Sequence, residues 1–138
     1  MKYKKPISKY NCVMLIDDNE IDNFINQKMI EGSNFAERIF VHTSGKSAIE
    51  FLSNLSRIKE IPTELIPEII FVDINMPIMD GFQFLEEFEN MPENIKQSTR
   101  VVMLTTSINP SDLDRSQANS RMLKYVNKPL STERLNSI

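Results

Sequence analysis

Three carboxylates, a hydroxyl and an amine stand in this chain where apolar runs give out. Asp73 closes the run Ile69-Ile70-Phe71-Val72 and opens Ile74-Asn75-Met76-Pro77-Ile78-Met79-Asp80-Gly81. Asp17 and Asp18 follow Met14-Leu15-Ile16, Thr105 follows Val101-Val102-Met103-Leu104, and Lys128 closely follows Leu123-Lys124-Tyr125-Val126. A carboxylate at the carboxyl end of a fully apolar strand sits where open α/β sheets place their ligands. Three carboxylates gathered within about 5 Å repel one another, at roughly 3 kcal/mol per ionised pair for an effective dielectric of about 20. A cation or a raised pKa must relieve that crowding. No His or Cys stands beside them, which argues against zinc and copper. Oxygen ligands alone favour Mg²⁺, which binds few carboxylates and completes its shell with water and substrate phosphate. Asp73 is then a candidate nucleophile, able to carry a phosphoryl group as an aspartyl phosphate. Mg²⁺, the Lys128 ammonium and the Thr105 hydroxyl would each serve one of its equatorial oxygens.

Taken singly, every piece has a commoner reading. An Asp-Asp pair after a strand is more often an N-cap than a metal site, and Asp18 could serve both ends. Thr105 alone is a β-former, Lys128-Pro129 a loop dipeptide, Tyr125 a packed aromatic and His42 an ordinary strand-end residue. The eight methionines are expected to fill gaps in the core. What singles out phosphoryl chemistry is the arrival of all these groups at one edge of one sheet.

The elements that must position them alternate. Strands are predicted over 12–16, 38–42, 69–73, 100–105 and 122–126. A helix begins at Glu20, with Ile21, Phe24, Ile25, Lys28 and Met29 as its stripe and Gly32 as its C′ residue. Ser44-Gly45 leads into a second helix with Ala48, Ile49, Leu52 and Leu55 on one face. Phe84, Leu85, Phe88 and Met91 mark a third, ending before Pro92. Asn109-Pro110 opens a fourth, and Ser131 caps a short last one. The fourth carries only Leu113 and Ala118 as apolar residues between Pro110 and Arg121, so it should be among the least firmly held parts of the fold. The long connection over 58–68, bounded by Pro62 and Pro67, has no legible role.

Runs apolar on both faces, separated by amphipathic helices, imply a parallel sheet covered on both sides. Five such units predict a flavodoxin-like, doubly wound α/β fold with strand order 2-1-3-4-5 and five helices. Its switch point between strands one and three puts Asp17 and Asp18 beside Asp73.

At 138 residues one domain is expected over 11–138, preceded by a basic tail over 1–10 that carries Lys2, Lys4, Lys5 and Lys9. The net charge of −3 gives no pull toward nucleic acid or an anionic membrane. The single Cys12 excludes an intrachain disulfide and points to the cytoplasm. No apolar segment approaches the roughly 18 residues of a membrane span.

Together, Asp17-Asp18, the run from Asp73 to Gly81, Thr105 after its apolar strand, and Tyr125-Val126-Asn127-Lys128-Pro129 resemble the receiver domain of two-component response regulators. The resemblance implies that Asp73 is phosphorylated from a phosphohistidine on a sensor histidine kinase or phosphotransfer protein. Mg²⁺ would be bound by Asp18, Asp73 and the Asn75 carbonyl, with Asp17 acting through water. Lys128 and Thr105 would hold the phosphoryl, and the Lys128-Pro129 bond would be cis. Thr105 moving toward the phosphate would let Tyr125 turn inward, altering the face of helix four, strand five and helix five toward an unidentified downstream protein. Asn75, Thr106 and Ser107 flank the path of the hydrolytic water. The resemblance extends to a monomer or a phosphorylation-linked dimer. It makes the protein a signalling module rather than an enzyme.

Two other classes compete. A Mg²⁺-dependent phosphohydrolase with an aspartyl nucleophile usually has a second aspartate two residues on, where this chain has Asn75. A receiver-shaped scaffold that is never phosphorylated usually lacks one of the acidic residues or the lysine, and all are present here.

Overall fold

The computed structural model describes residues 7–106 and 121–138. Five strands form one parallel sheet: β1 Tyr10–Ile16, β2 Ala36–His42, β3 Ile69–Asp73, β4 Arg100–Thr105 and β5 Met122–Asn127. Their order is β2-β1-β3-β4-β5, as the alternation of elements predicts. Among the described residues the α-helices are α1 Glu20–Gly32, α2 Gly45–Ser56, α3 Gly81–Glu89, α4 Glu93–Lys96 and α5 Thr132–Asn136.

The period-two pleat sorts each apolar run between two cores. Met14, Ile16, Ile70, Val72, Val101 and Met103 face Ala48, Leu52 and Leu55 of α2 and Phe84, Leu85 and Phe88 of α3. Val13, Leu15, Ile69, Phe71, Val102 and Leu104 face the other way, toward Ile30 of α1 and Leu135 of α5. β1, β3 and β4 are sealed on both sides, which is why their sequences show no alternation. That sealing makes the carboxyl ends of the central strands rigid mounting points.

Three local expectations are revised and one short element is added. The stripe of α1 points outward: Ile21 is 70 % exposed, Phe24 60 % and Ile25 41 %. The buried positions of the helix are Asn23, Asn26 and Ile30. The C′ role given to Gly32 falls elsewhere, because the helix runs through Gly32 to a C-cap at Ser33. The left-handed residue is Asn34, with φ of 51°; asparagine tolerates that region nearly as well as glycine does. The short α4 was not legible, since four residues after Pro92 are too few to show a period. Finally, Asn19, not Asp18, caps α1, its side chain accepting from the Ile21 and Asp22 amides at 3.0 Å each. The helix expected after Asn109-Pro110 lies outside the described residues.

Within the 58–68 connection, Thr63–Leu65 form one 3₁₀ turn. No helix among the described residues is long and apolar enough to cross a membrane.

Candidate functional site

Strand register assembles the site. β1 pairs with β3 so that Ile16 lies beside Val72, which brings Asp17, one residue further, level with Asp73. β3 pairs with β4 so that Asp73 meets Leu104, setting Thr105 one step beyond. β4 pairs with β5 so that Thr105 meets Asn127, and the Lys128 amide then donates to the Thr105 carbonyl at 2.8 Å. All five chemical groups named from sequence therefore stand at one sheet edge. Oxygens of Asp17, Asp18 and Asp73 lie within 4.8 Å of one another.

Lys128 reaches into this cluster. Its Nζ lies 2.9 Å from Asp17 Oδ2, 2.9 Å from Asp22 Oδ2 and 3.4 Å from Asp73 Oδ1. The other Asp17 oxygen accepts the Asn19 amide at 2.9 Å. Asp17, Asp73 and Thr105 are buried, while Asp18 is exposed. Asp17, Asp18, Asn19, Asp22, Asp73, Asn75, Thr106 and Lys128 line a recess of about 300 Å³. A larger recess of about 400 Å³ lies at the opposite end of the strands, near Asn11 and Glu68. It gathers no comparable set of charges, so the smaller recess is the better candidate.

The electrostatics record an unmet need for positive charge. Burial, reinforced by the Asp17 carboxylate, lifts the Asp73 carboxyl from 3.8 to about 6, although Lys128 and the Asn75 backbone pull it down. Burial acts to lower the Lys128 pKa, but hydrogen bonds to Asp17 and Asp22 and the charges of Asp17 and Asp73 reverse this, leaving the amine firmly protonated. One ammonium thus contacts three carboxylates in a recess that a fourth, Asp18, also lines. The oxygens of Asp17, Asp18 and Asp73 suit a hard divalent cation, which would neutralise charge that Lys128 alone cannot.

The β3–α3 turn depends on Gly81. A Cβ there would lie 2.8 Å from the Asp73 carbonyl oxygen and 2.9 Å from Ile74 Cα, both backbone atoms. The Gly81 amide donates to the Ile74 carbonyl at 2.9 Å, and Asp80 with Gln83 completes a capping box on α3. Gly81→Ala is therefore expected to cost about 1–3 kcal/mol through overpacking, read as a lower urea midpoint with unchanged slope. At the lip of the same turn Ile78 has φ of 70° and is 98 % exposed, an uncommon conformation for a β-branched residue.

The remaining named residues fall as follows. Tyr125 is buried and meets Phe82 edge-on at 6.5 Å between ring centres. The Lys128–Pro129 bond is cis. His42 hydrogen-bonds Ser47 at 2.8 Å. Cys12 is fully buried, and burial pushes its thiol up to about 12, so it behaves as a small hydrophobe.

Three contributors were missed from sequence: Asp22, Asn23 and Asn26. The Asn23 amide donates to the Asp17 carbonyl at 2.8 Å. The Asn26 carbonyl oxygen accepts the Leu130 amide at 2.8 Å. Their signal was a run of polar residues at helical spacing on the side of α1 away from Ile21 and Phe24.

A family model described as the response regulator receiver domain matches residues 13–138. The chain is similar to a probable methanogenesis regulatory protein, FilR2, of Methanothrix harundinacea, at 31 % identity over 89 % of this chain and 75 % of that protein. It is 30 % identical to part of the sensor histidine kinase CheAY of Helicobacter pylori, a match covering 99 % of this chain but 15 % of the kinase. Among solved structures, a two-component response regulator from Cytophaga hutchinsonii superposes with a TM-score of 0.81 at 33 % identity, covering 94 % of this chain and 93 % of that one.

Proposed function

The chain belongs to the response regulator receiver family of two-component signalling, and from that premise we propose that Asp73 is its phosphoryl acceptor. The observation that carries this reading is the convergence of Asp17, Asp18, Asp73 and Lys128 at one recess. Phosphorylation and Mg²⁺ dependence are general to the family, and histidine kinases are its usual partners.

In this mechanism the Asp73 carboxylate attacks a phosphohistidine on the donor protein. A P–O bond forms as the P–N bond breaks, and the imidazole leaves on its own protein. Asp18, Asp73 and the Asn75 carbonyl would hold Mg²⁺, with Asp17 contributing through water; when bound, the ion neutralises charge on the phosphoryl oxygens. Lys128 offers an ammonium to a second oxygen and Thr105 a hydroxyl to a third. Asp73 has to be ionised to attack, and a carboxyl titrating near 6 is largely so at neutral pH. Asn75 and Thr106, both lining the recess, flank the approach of the water that later removes the phosphate.

Two surfaces follow. The exposed Ile21, Phe24 and Ile25 lead to the recess, because Ile25 lines an adjoining hollow with Asn26 and Pro129 that shares Asp22, Thr106 and Lys128 with it. The phosphohistidine protein would seat there, since its histidine must reach Asp73 beside this stripe. Output would pass through Thr105 and Tyr125 to the face containing β5 and α5, toward a downstream protein. Tyr125 is already turned in, so phosphorylation would secure its arrangement rather than create it. We place this activity in the cytoplasm.

Incubating the wild-type protein with acetyl phosphate and Mg²⁺ should add one phosphate by intact mass, prevented by a chelator and lost over time. A protein unchanged in mass under these conditions would overturn the reading.

A further inference from the structure

Lys128 is held by a carboxylate outside the trio that could chelate a cation. Asp22, in the first turn of α1, is as close to its Nζ as Asp17 is, at 2.9 Å, whereas Asp73 is at 3.4 Å. Four residues along the same helix, Asn26 accepts the Leu130 amide at 2.8 Å. The two side chains share one face of α1 and grip the Lys128-Pro129-Leu130 segment on either side of the proline. Asn26 fixes the backbone of the segment, while Asp22 fixes the ammonium. Side-chain exposure differs across the contact, at 9 % for Lys128, 0 % for Asp17 and 35 % for Asp22. Asp22 is thus the water-facing anchor of a lysine otherwise enclosed.

We propose that Asp22 is a positioning residue for phosphoryl capture: it holds the Lys128 ammonium at the rim of the recess, and an incoming phosphoryl must win the lysine from it. This rests on the acceptor role of Asp73. A cation placed among Asp17, Asp18 and Asp73 relieves those carboxylates of their demand on Lys128, but leaves Asp22 untouched as a rival. A carboxylate and a phosphoryl oxygen compete for the same charge-assisted hydrogen bond. Removing the rival makes the lysine more available, so the change should be a gain of capture where a purely structural residue would give a loss.

The test compares Asp22→Asn and Asp22→Glu with wild type at saturating Mg²⁺, reading both the rate of phosphorylation by acetyl phosphate and the affinity for beryllium trifluoride as a phosphoryl mimic. Asp22→Asn is expected to improve both by about tenfold, the equivalent of roughly 1.4 kcal/mol. Asp22→Glu, which restores a carboxylate, should stay within about twofold of wild type by the same scale. In a Lys128→Met background Asp22→Asn should change neither quantity. An Asn variant no better than wild type, or a gain that persists without the amine, would overturn the proposal. A separate readout needs no phosphoryl group: the ¹⁵N ammonium signal of Lys128 in the resting protein should shift or broaden in Asp22→Asn. If wild type binds neither phosphate nor its mimic while that signal still changes, the acceptor reading fails and the clamp survives; an unchanged signal removes the clamp itself.

Discussion

Asp73→Asn is expected to abolish phosphoryl acceptance and, in the same molecule, to stabilise the metal-free fold at pH 7.5 by about 2–3 kcal/mol. The first effect follows because an amide cannot serve as the carboxylate nucleophile. The second follows from the crowding at the recess. The Asp73 carboxyl is raised from 3.8 to about 6, chiefly by burial and then by Asp17. At about 1.4 kcal/mol per pH unit, the ionised form costs the fold roughly 3 kcal/mol. The sign fixes the pH window. Below about pH 4 the group is protonated in both folded and unfolded chains, and it contributes nothing. Between about pH 4 and 6 the folded chain binds more protons than the unfolded one, so stability falls as pH rises. Above about pH 6 the full penalty is present. The variant escapes it, so the difference in melting temperature should open from near zero at pH 4 to roughly 5–10 °C at pH 7.5, measured in a chelator by thermal melts across that range. Mg²⁺ should raise wild type toward the variant. A variant less stable than wild type at pH 7.5 would refute the crowding.

Lys128→Met is expected to work in the opposite sense. It takes the ammonium from Asp17, Asp22 and Asp73, which lie 2.9, 2.9 and 3.4 Å away. Asp17 and Asp73 are buried, and stripping one partner from buried charges costs about 3–5 kcal/mol. Methionine nearly fills the volume, so the loss is one of charge rather than packing. Mg²⁺ can replace that charge among the carboxylates, but it cannot replace an amine directed at a second phosphoryl oxygen. The variant should therefore regain most of its stability on adding Mg²⁺, while acetyl phosphate labelling stays about 100-fold slower than wild type, in line with losing one charge-stabilising donor. Urea unfolding with and without Mg²⁺, beside a labelling time course, separates the two effects. Labelling at the wild-type rate would show that Lys128 does not touch the phosphoryl.

The sheet and the ends of its strands were legible because they depend on local patterns. Continuous apolar runs such as Ile69–Val72 mark strands sealed on both faces, and the first polar residue after each marks the edge. Parallel order then brings Asp17, Asp73, Thr105 and Lys128 together without any knowledge of their contacts. The facing of α1 was not legible. A stripe of Ile21, Phe24 and Ile25 shows that a helix has an apolar side, not that this side meets the sheet. Its inner side carries Asn23 and Asn26, made tolerable by hydrogen bonds to the Asp17 carbonyl and the Leu130 amide; the second of these partners is 104 residues away. Asp22 was missed for the same reason, since its partner Lys128 is 106 residues distant. Local periodicity cannot announce bonds of that range. The thinly apolar helix expected between Pro110 and Arg121 lies outside the described residues.

Locating the phosphate tests the central claim most directly. After loading with acetyl phosphate and Mg²⁺, borohydride reduces an aspartyl phosphate to homoserine, and peptide mapping reads which residue was converted. Conversion is predicted at Asp73 alone. Conversion at Asp17 or Asp18, or none in a protein that has gained a phosphate, would contradict Asp73 as the acceptor.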